Sequence, residues 1–150
     1  MKQRIDLART VPELHRGLVA FERAVDAAEI DPRLRELVRI RASQLNGCAR
    51  CIQLHVTDAL RAGEQQSRLD LLVAWREAPC FDDRERAALA LTDAVTLLSA
   101  TGSVDDAVYD EAAARFEPVE LASLIYLITA INVRNRLNVT ARRPPDALAG

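Results

Sequence analysis

An all-α fold is predicted by three features of the sequence. Apolar residues recur at helical spacing along most of the 150 residues,. The five glycines and six prolines mark breaks between periodic segments rather than hairpins. No segment sustains strand alternation between turn dipeptides. The pattern yields about six to seven helices in a single domain, 1–150, with its core at about 12–140 and a flexible tail at 141–150,.

The first helix is predicted from Pro12 to about Ala28, where Leu14, Leu18, Phe21 and Val25 share a stripe,. Asp31-Pro32 supplies an N-cap and a proline at the first helical position of the second helix,. That helix runs to about Asn46 and stops at Gly47. Leu34, Leu37, Val38 and Leu45 form one face, while Glu36, Ile40 and Ser43 lie opposite by the 100° helical step,. Two such faces suit a helix covered on both sides. The third helix starts near Cys48 and ends at Ala62, with Gly63 suited to a left-handed stop,. A shorter one follows at about Gln66 to Arg76. Asp82 and Glu85 make a capping box for a helix carrying Ala88, Leu91 and Val95,. Ser103 to Asp106 opens another, to about Phe116. Pro118 begins the last, which reaches about Val139,. The tail ARRPPDALAG has no periodicity,.

Composition excludes several classes of function. An apolar fraction of 49% and a charged fraction of 28% fit a globular domain rather than a disordered chain,. A net charge of −2 leaves no basic footprint, so no nucleic-acid partner is expected,. The opening MKQRIDLARTVPEL lacks the apolar run of a secretory signal,. The most apolar stretch, Leu121 to Val133, is shorter than the roughly 20 residues a membrane helix needs,. A cytoplasmic location without membrane contact is therefore expected. In a reducing compartment, a close cysteine pair is more often catalytic or metal-binding than structural.

The pair here is Cys48-x-x-Cys51, followed after three residues by His55. On a helix these three residues span only about 60°. Cys51 and His55 are neighbours at i,i+4,. Cys48 stands at the helix start, where unpaired N–H groups and the helix dipole favour a thiolate,. Glu36 lies in the preceding helix, and the turn at Asn46-Gly47 makes the two helices antiparallel,. Glu36 is about ten residues back from that turn and His55 about eight beyond it, so both stand at comparable height,. A nucleophile, a base and an orienting carboxylate can then share one site. The same residues admit two other readings. Two cysteines in a helical protein can simply be buried apolar groups. Cys48, Cys51, His55 and Glu36 are also a possible zinc set,. Structural zinc sites usually draw on a second C-x-x-C or H-x-x-x-H, and the sequence has none,. Neither metal nor cofactor is expected.

Glu36, eleven residues, Cys48-x-x-Cys51, three residues and His55 resemble the active-site pattern of the alkylhydroperoxidase D-like (AhpD-like) branch of the carboxymuconolactone decarboxylase family. The stretches LNGCARCIQLHVTDALRAGE at 45–64 and FDDRERAALALTDAVTLLS at 81–99 resemble the same branch. Asn135-Arg136-Leu137-Asn138 is similar to the NRLN near the C-terminus of many members. The resemblance spans about residues 14–140. It implies an AhpD-like helical bundle that forms a homo-oligomer, trimer or hexamer. It implies a hydroperoxide substrate and an external dithiol reductant, a lipoyl or thioredoxin-like protein. By it, Cys51 is the peroxidatic thiol, Cys48 the resolving thiol, and His55 with Glu36 a proton relay through a bound water. Some members carry a second histidine just before the second cysteine; here Arg50 stands there, and it is expected to face solvent,. A thiolate that attacks the O–O bond becomes a sulfenic acid and condenses with the second thiol.

Two other activities fit the same scaffold: a non-catalytic redox sensor or interaction protein, and a lactone decarboxylase like the family's namesake. The cysteine pair argues against the decarboxylase. Cys80 and His15 are expected to be ordinary buried or surface residues, and Trp75 and Tyr126 core or interface aromatics,. Asn132, Asn135, Arg134 and Arg136 are expected to satisfy carbonyls at a helix end or to bridge subunits,.

Overall fold

The computed structural model describes residues 2–146, and among them every regular element is helical. The longer helices are α2 (Pro12–Asp26), α3 (Pro32–Leu45), α4 (Ala49–Arg61), α5 (Gln66–Leu71), α6 (Asp83–Thr96), α8 (Asp106–Arg115) and α9 (Pro118–Ala141). A 3₁₀ turn, Leu72–Ala74, continues α5. Two one-turn helices, α1 (Leu7–Thr10) and α7 (Leu98–Thr101), add to the seven that the periodicity predicts. Four residues make too little of a repeat to register as a period. No helix among the described residues is long and apolar enough to cross a membrane.

Local chemistry sets the boundaries. The Asp31 carboxylate accepts from the Arg33 and Leu34 N–H groups, capping α3,. Asp82 and Glu85 form the capping box of α6,. Asp105, rather than Ser103, caps α8 by accepting from Ala107 N–H,.

Helix α3 is the centre of the bundle, packed against α4, α6 and α9. Its two faces serve two cores. Leu34 and Val38 join Leu91, Leu124, Leu127 and Ile128 in one. Leu37 and Ile40 join Leu72, Trp75, Phe81 and Leu89 in the other. Each fully buried leucine contributes about 1.5–3 kcal/mol. A small third cluster contains Ala42, Ile131 and both Cys48 and Cys51. The cysteine pair thus sits where α3, α4 and α9 meet.

A ladder of buried carboxamides holds α9 to the α3–α4 turn. Asn46 Nδ2 donates to Asn132 Oδ1 at 2.9 Å and to Asn135 Oδ1 at 3.1 Å. Asn135 Nδ2 donates to Ser43 Oγ at 3.0 Å, and Asn132 Nδ2 to Thr96 Oγ1 at 3.0 Å. These asparagines bind side chains within the chain. The described part of the tail is pinned as well. The Asp146 N–H donates to Gln53 Oε1 and the Asp146 carbonyl accepts from Gln53 Nε2, laying residues 143–146 along α4. The tail's last four residues, 147–150, lie outside the described residues.

Candidate active site

The turn between α3 and α4 builds the site. Asn46 closes α3, and Gly47 takes a left-handed φ of 67° that a side chain would resist,. The Cys48 N–H then donates to Ser43 O at 2.9 Å, and Cys48 becomes the N-cap of α4. Cys51 occupies the first turn, at the positive end of the helix,. Cys48 and Cys51 are disulfide-bonded, with Cα atoms 5.3 Å apart. Cys51, His55 and Ala59 are the buried stripe of α4.

The antiparallel packing of α3 and α4 brings the predicted carboxylate into place. His55 Nδ1 and Glu36 Oε2 are 2.8 Å apart, both groups being buried. Arg39 Nη1 donates to the other Glu36 oxygen at 2.8 Å, and Arg39 also pairs with Asp26. Burial alone would raise the Glu36 pKa; the hydrogen bond and charge of His55, then Arg39, outweigh it and hold the carboxyl below its ordinary 4.5,. An ionised carboxylate only accepts, so Nδ1 carries the imidazole proton and Nε2 is left as the basic nitrogen.

Cys51 and His55 line one cavity of about 380 Å³ together with Asn138 and Arg134 of α9. The Asn138 Nδ2 donates to Cys51 Sγ at 3.3 Å. That donor stabilises negative charge on the sulfur. Arg134 pairs with Glu22 of α2, and both line the cavity. His15 is half-buried and lines this cavity and the adjoining one. Arg50 departs from the expected solvent-facing position: it donates to Pro144 O and pairs with Asp146, and it lines this cavity. Tyr126 is exposed and packs edge-on against Phe21, away from the thiols. Trp75 is buried in the second core, and Cys80 is a half-buried free thiol.

The zinc set does not assemble. Among the described residues the candidate cation ligands are Glu36, His55 and Asp58, without either cysteine. Both Glu36 oxygens already accept from Arg39 and His55, and Asp58 pairs with Arg61, so the carboxylates are engaged by cationic side chains and the His55 ring.

Sequence reasoning brought Glu36, Cys48, Cys51 and His55 to one place and missed Arg39 and Asn138. Arg39 follows Glu36 at i+3, a spacing that reads as an ion pair,. Asn138 lies within the NRLN stretch but is 87 residues from Cys51.

Fold and site together define a helical protein with a disulfide-capable cysteine pair beside a buried histidine–glutamate couple. The chain belongs to the carboxymuconolactone decarboxylase family, whose model matches residues 12–94, and within it to the alkylhydroperoxidase D-like branch. It is 33% identical over 139 residues to the uncharacterized protein YdfG of Bacillus subtilis (strain 168), covering 93% of this chain and 94% of that one. A crystal structure from Agrobacterium tumefaciens, a protein of unknown function described as a candidate antioxidant defence protein AhpD, matches with a TM-score of 0.94 and 33% identity, covering 98% of this chain and 100% of that one. The debrominase Bmp8 shares the fold alone, with a TM-score of 0.78 and 19% identity over 91% of this chain and 73% of its own.

Proposed function

We propose that this chain is a thiol-dependent peroxidase that reduces hydroperoxides through Cys51 and Cys48. One observation carries the reading: Cys51 shares a cavity with His55, whose Nδ1 is held by ionised Glu36. In the reduced protein, His55 Nε2 takes the Cys51 proton. The helix N-terminus and Asn138 stabilise the resulting thiolate. The thiolate attacks one peroxide oxygen, and the O–O bond breaks. The alcohol leaves with the proton that His55 returns, and Cys51 becomes a sulfenic acid. The Cys48 thiolate then attacks that sulfur, hydroxide leaves as water, and the Cys48–Cys51 disulfide forms. Two electrons from an external dithiol, a lipoyl or thioredoxin-like protein, restore the pair.

A homo-oligomer, trimer or hexamer, is part of this reading. Its support is the apolar side chains α9 leaves exposed, Val119 and Tyr126 above all, at 79% and 61% exposure,.

The test is the intact mass of reduced protein before and after one equivalent of cumene hydroperoxide. A loss of about 2 Da, mapped to Cys48–Cys51, is expected. An unchanged mass, or oxidation confined to Cys80, would end the proposal.

A further inference from the structure

The two sulfurs of the disulfide open onto different clefts. Cys51 lines the cavity shared with His55, and Cys48 does not. Cys48 instead lines a second cleft of about 500 Å³ between the start of α4 and the end of α9. The chemistry of the two differs. In the first, Glu22, Asp26 and Asp58 offset Arg39, Arg50, Arg134 and Arg143. The second is lined by Arg4, Arg50, Arg142 and Arg143, and no carboxylate lines it. Arg4 is held by Thr140 O, and Arg50 by Pro144 O and Asp146. The guanidinium groups of Arg142 and Arg143 have no hydrogen-bond or ion-pair partner among the described residues. Partial desolvation, then the positive charge of Arg50 and Arg134, holds the Arg143 guanidinium below its ordinary value, while Asp6 and Asp146 offset this only in part. The cleft is therefore short of anions.

We propose that this arginine-lined cleft is the docking face for an acidic protein dithiol, which reopens the disulfide by attacking Cys48. The inference rests on the dithiol–disulfide cycle above and adds its partner and direction. Two observations independent of charge agree on the sulfur attacked. First, the cleft reaches Cys48 and not Cys51. Second, exchange is faster when the departing thiolate is stabilised, and Asn138 donates to Cys51 Sγ,. The partner's thiolate bonds to Cys48 Sγ, the Cys48–Cys51 bond breaks, and Cys51 leaves as the thiolate. The partner's second thiolate then attacks its own sulfur in the mixed disulfide and releases Cys48. The partner ends as a disulfide, and both cysteines of this chain are reduced. Peroxide and reductant thus enter through separate doors.

The test uses the oxidised full-length chain with no peroxide present, so its outcome is separate from that of the peroxidase reading. Three small thiols are compared per thiolate: anionic mercaptoethanesulfonate, neutral mercaptoethanol and cationic cysteamine. At low ionic strength the anionic thiol opens the disulfide about tenfold faster than the cationic one, and the preference fades in high salt. Arg142→Glu, or independently Arg4→Glu, brings the anionic-to-cationic ratio towards one. Because the ratio compares reagents on one protein, a variant with partly weakened folding still reports on charge. Peptide mapping of the trapped adduct places mercaptoethanesulfonate on Cys48. A ratio near one in the parent, a ratio untouched by both variants, or an adduct on Cys51 would overturn the proposal.

Discussion

Glu36 and Asp93 are both buried carboxylates clasped by arginine, yet only one stands beside the thiols. Asp93 accepts from Arg41 Nε at 2.6 Å, Arg76 Nη1 at 2.6 Å and Trp75 Nε1 at 3.3 Å. None of those donors gives up its proton near neutral pH, so the cluster ties α6 to α3 and to the turn that follows the 3₁₀ segment,. Glu36 replaces one fixed donor with His55, a group able to exchange a proton,. On the proposed reading, the comparison teaches that a buried ion pair becomes chemistry through a titratable partner that opens onto a cavity.

Substitutions on the two sides separate the roles, and the largest effect falls on the thiols that Glu36 serves. Cys51→Ser abolishes peroxide consumption, whereas Cys48→Ser completes one turnover and stalls. Equal single-turnover rates for Cys51→Ser and the parent would refute the assignment. Asp93→Ala strands Arg41 and costs about 3–5 kcal/mol in urea unfolding, while the surviving folded molecules still oxidise Cys51. Glu36→Gln does the reverse: it slows the peroxide step by about 100-fold, read by stopped flow, and leaves most of the stability. If Asp93→Ala proved the more damaging to the peroxide step of folded protein, the contrast would collapse. Asn138→Ala slows alkylation of the reduced protein at neutral pH by about tenfold, because the Cys51 thiolate loses a donor,. The smallest effect is on acid stability. Folding lowers the Glu36 pKa, so its ionised form stabilises the folded chain,. That contribution is complete above 4.5 and is lost as pH falls through the depressed folded value. The stability gap between parent and Glu36→Gln therefore stays constant above 4.5 and narrows as pH falls below it, through the depressed folded value,. A constant gap would mean that Glu36 does not titrate differently on folding.

Much of this site was legible because it is local. Cys51 and His55 are one helical turn apart, and Glu36 reaches them across one short turn whose register can be counted,. Burial on both sides of α3 was legible for the same reason, although Leu37, grouped by the sequence with Leu34 and Val38, packs with Ile40 in the other core, and Leu45 is only half-buried. What escaped lies far along the chain or in elements too short to show a period. Asn138 meets Cys51 only because α9 packs back on the first half of the chain. His15 reaches the cavity from α2, and its own neighbours in sequence say nothing of it. Arg50 was misread because its partners are in the aperiodic tail.

The carboxamides at 132, 135 and 138 act as a vernier between the two halves of the chain. They sit three residues apart on α9, and the first two engage the α3–α4 turn while the third touches sulfur. One residue inserted between Asn135 and Asn138 would leave two marks aligned and rotate the third by about 100°, swinging its amide off Cys51. The helix could stay intact and stable while the sulfur lost its donor, so length changes in this short span are coupled to thiol reactivity far more tightly than to folding.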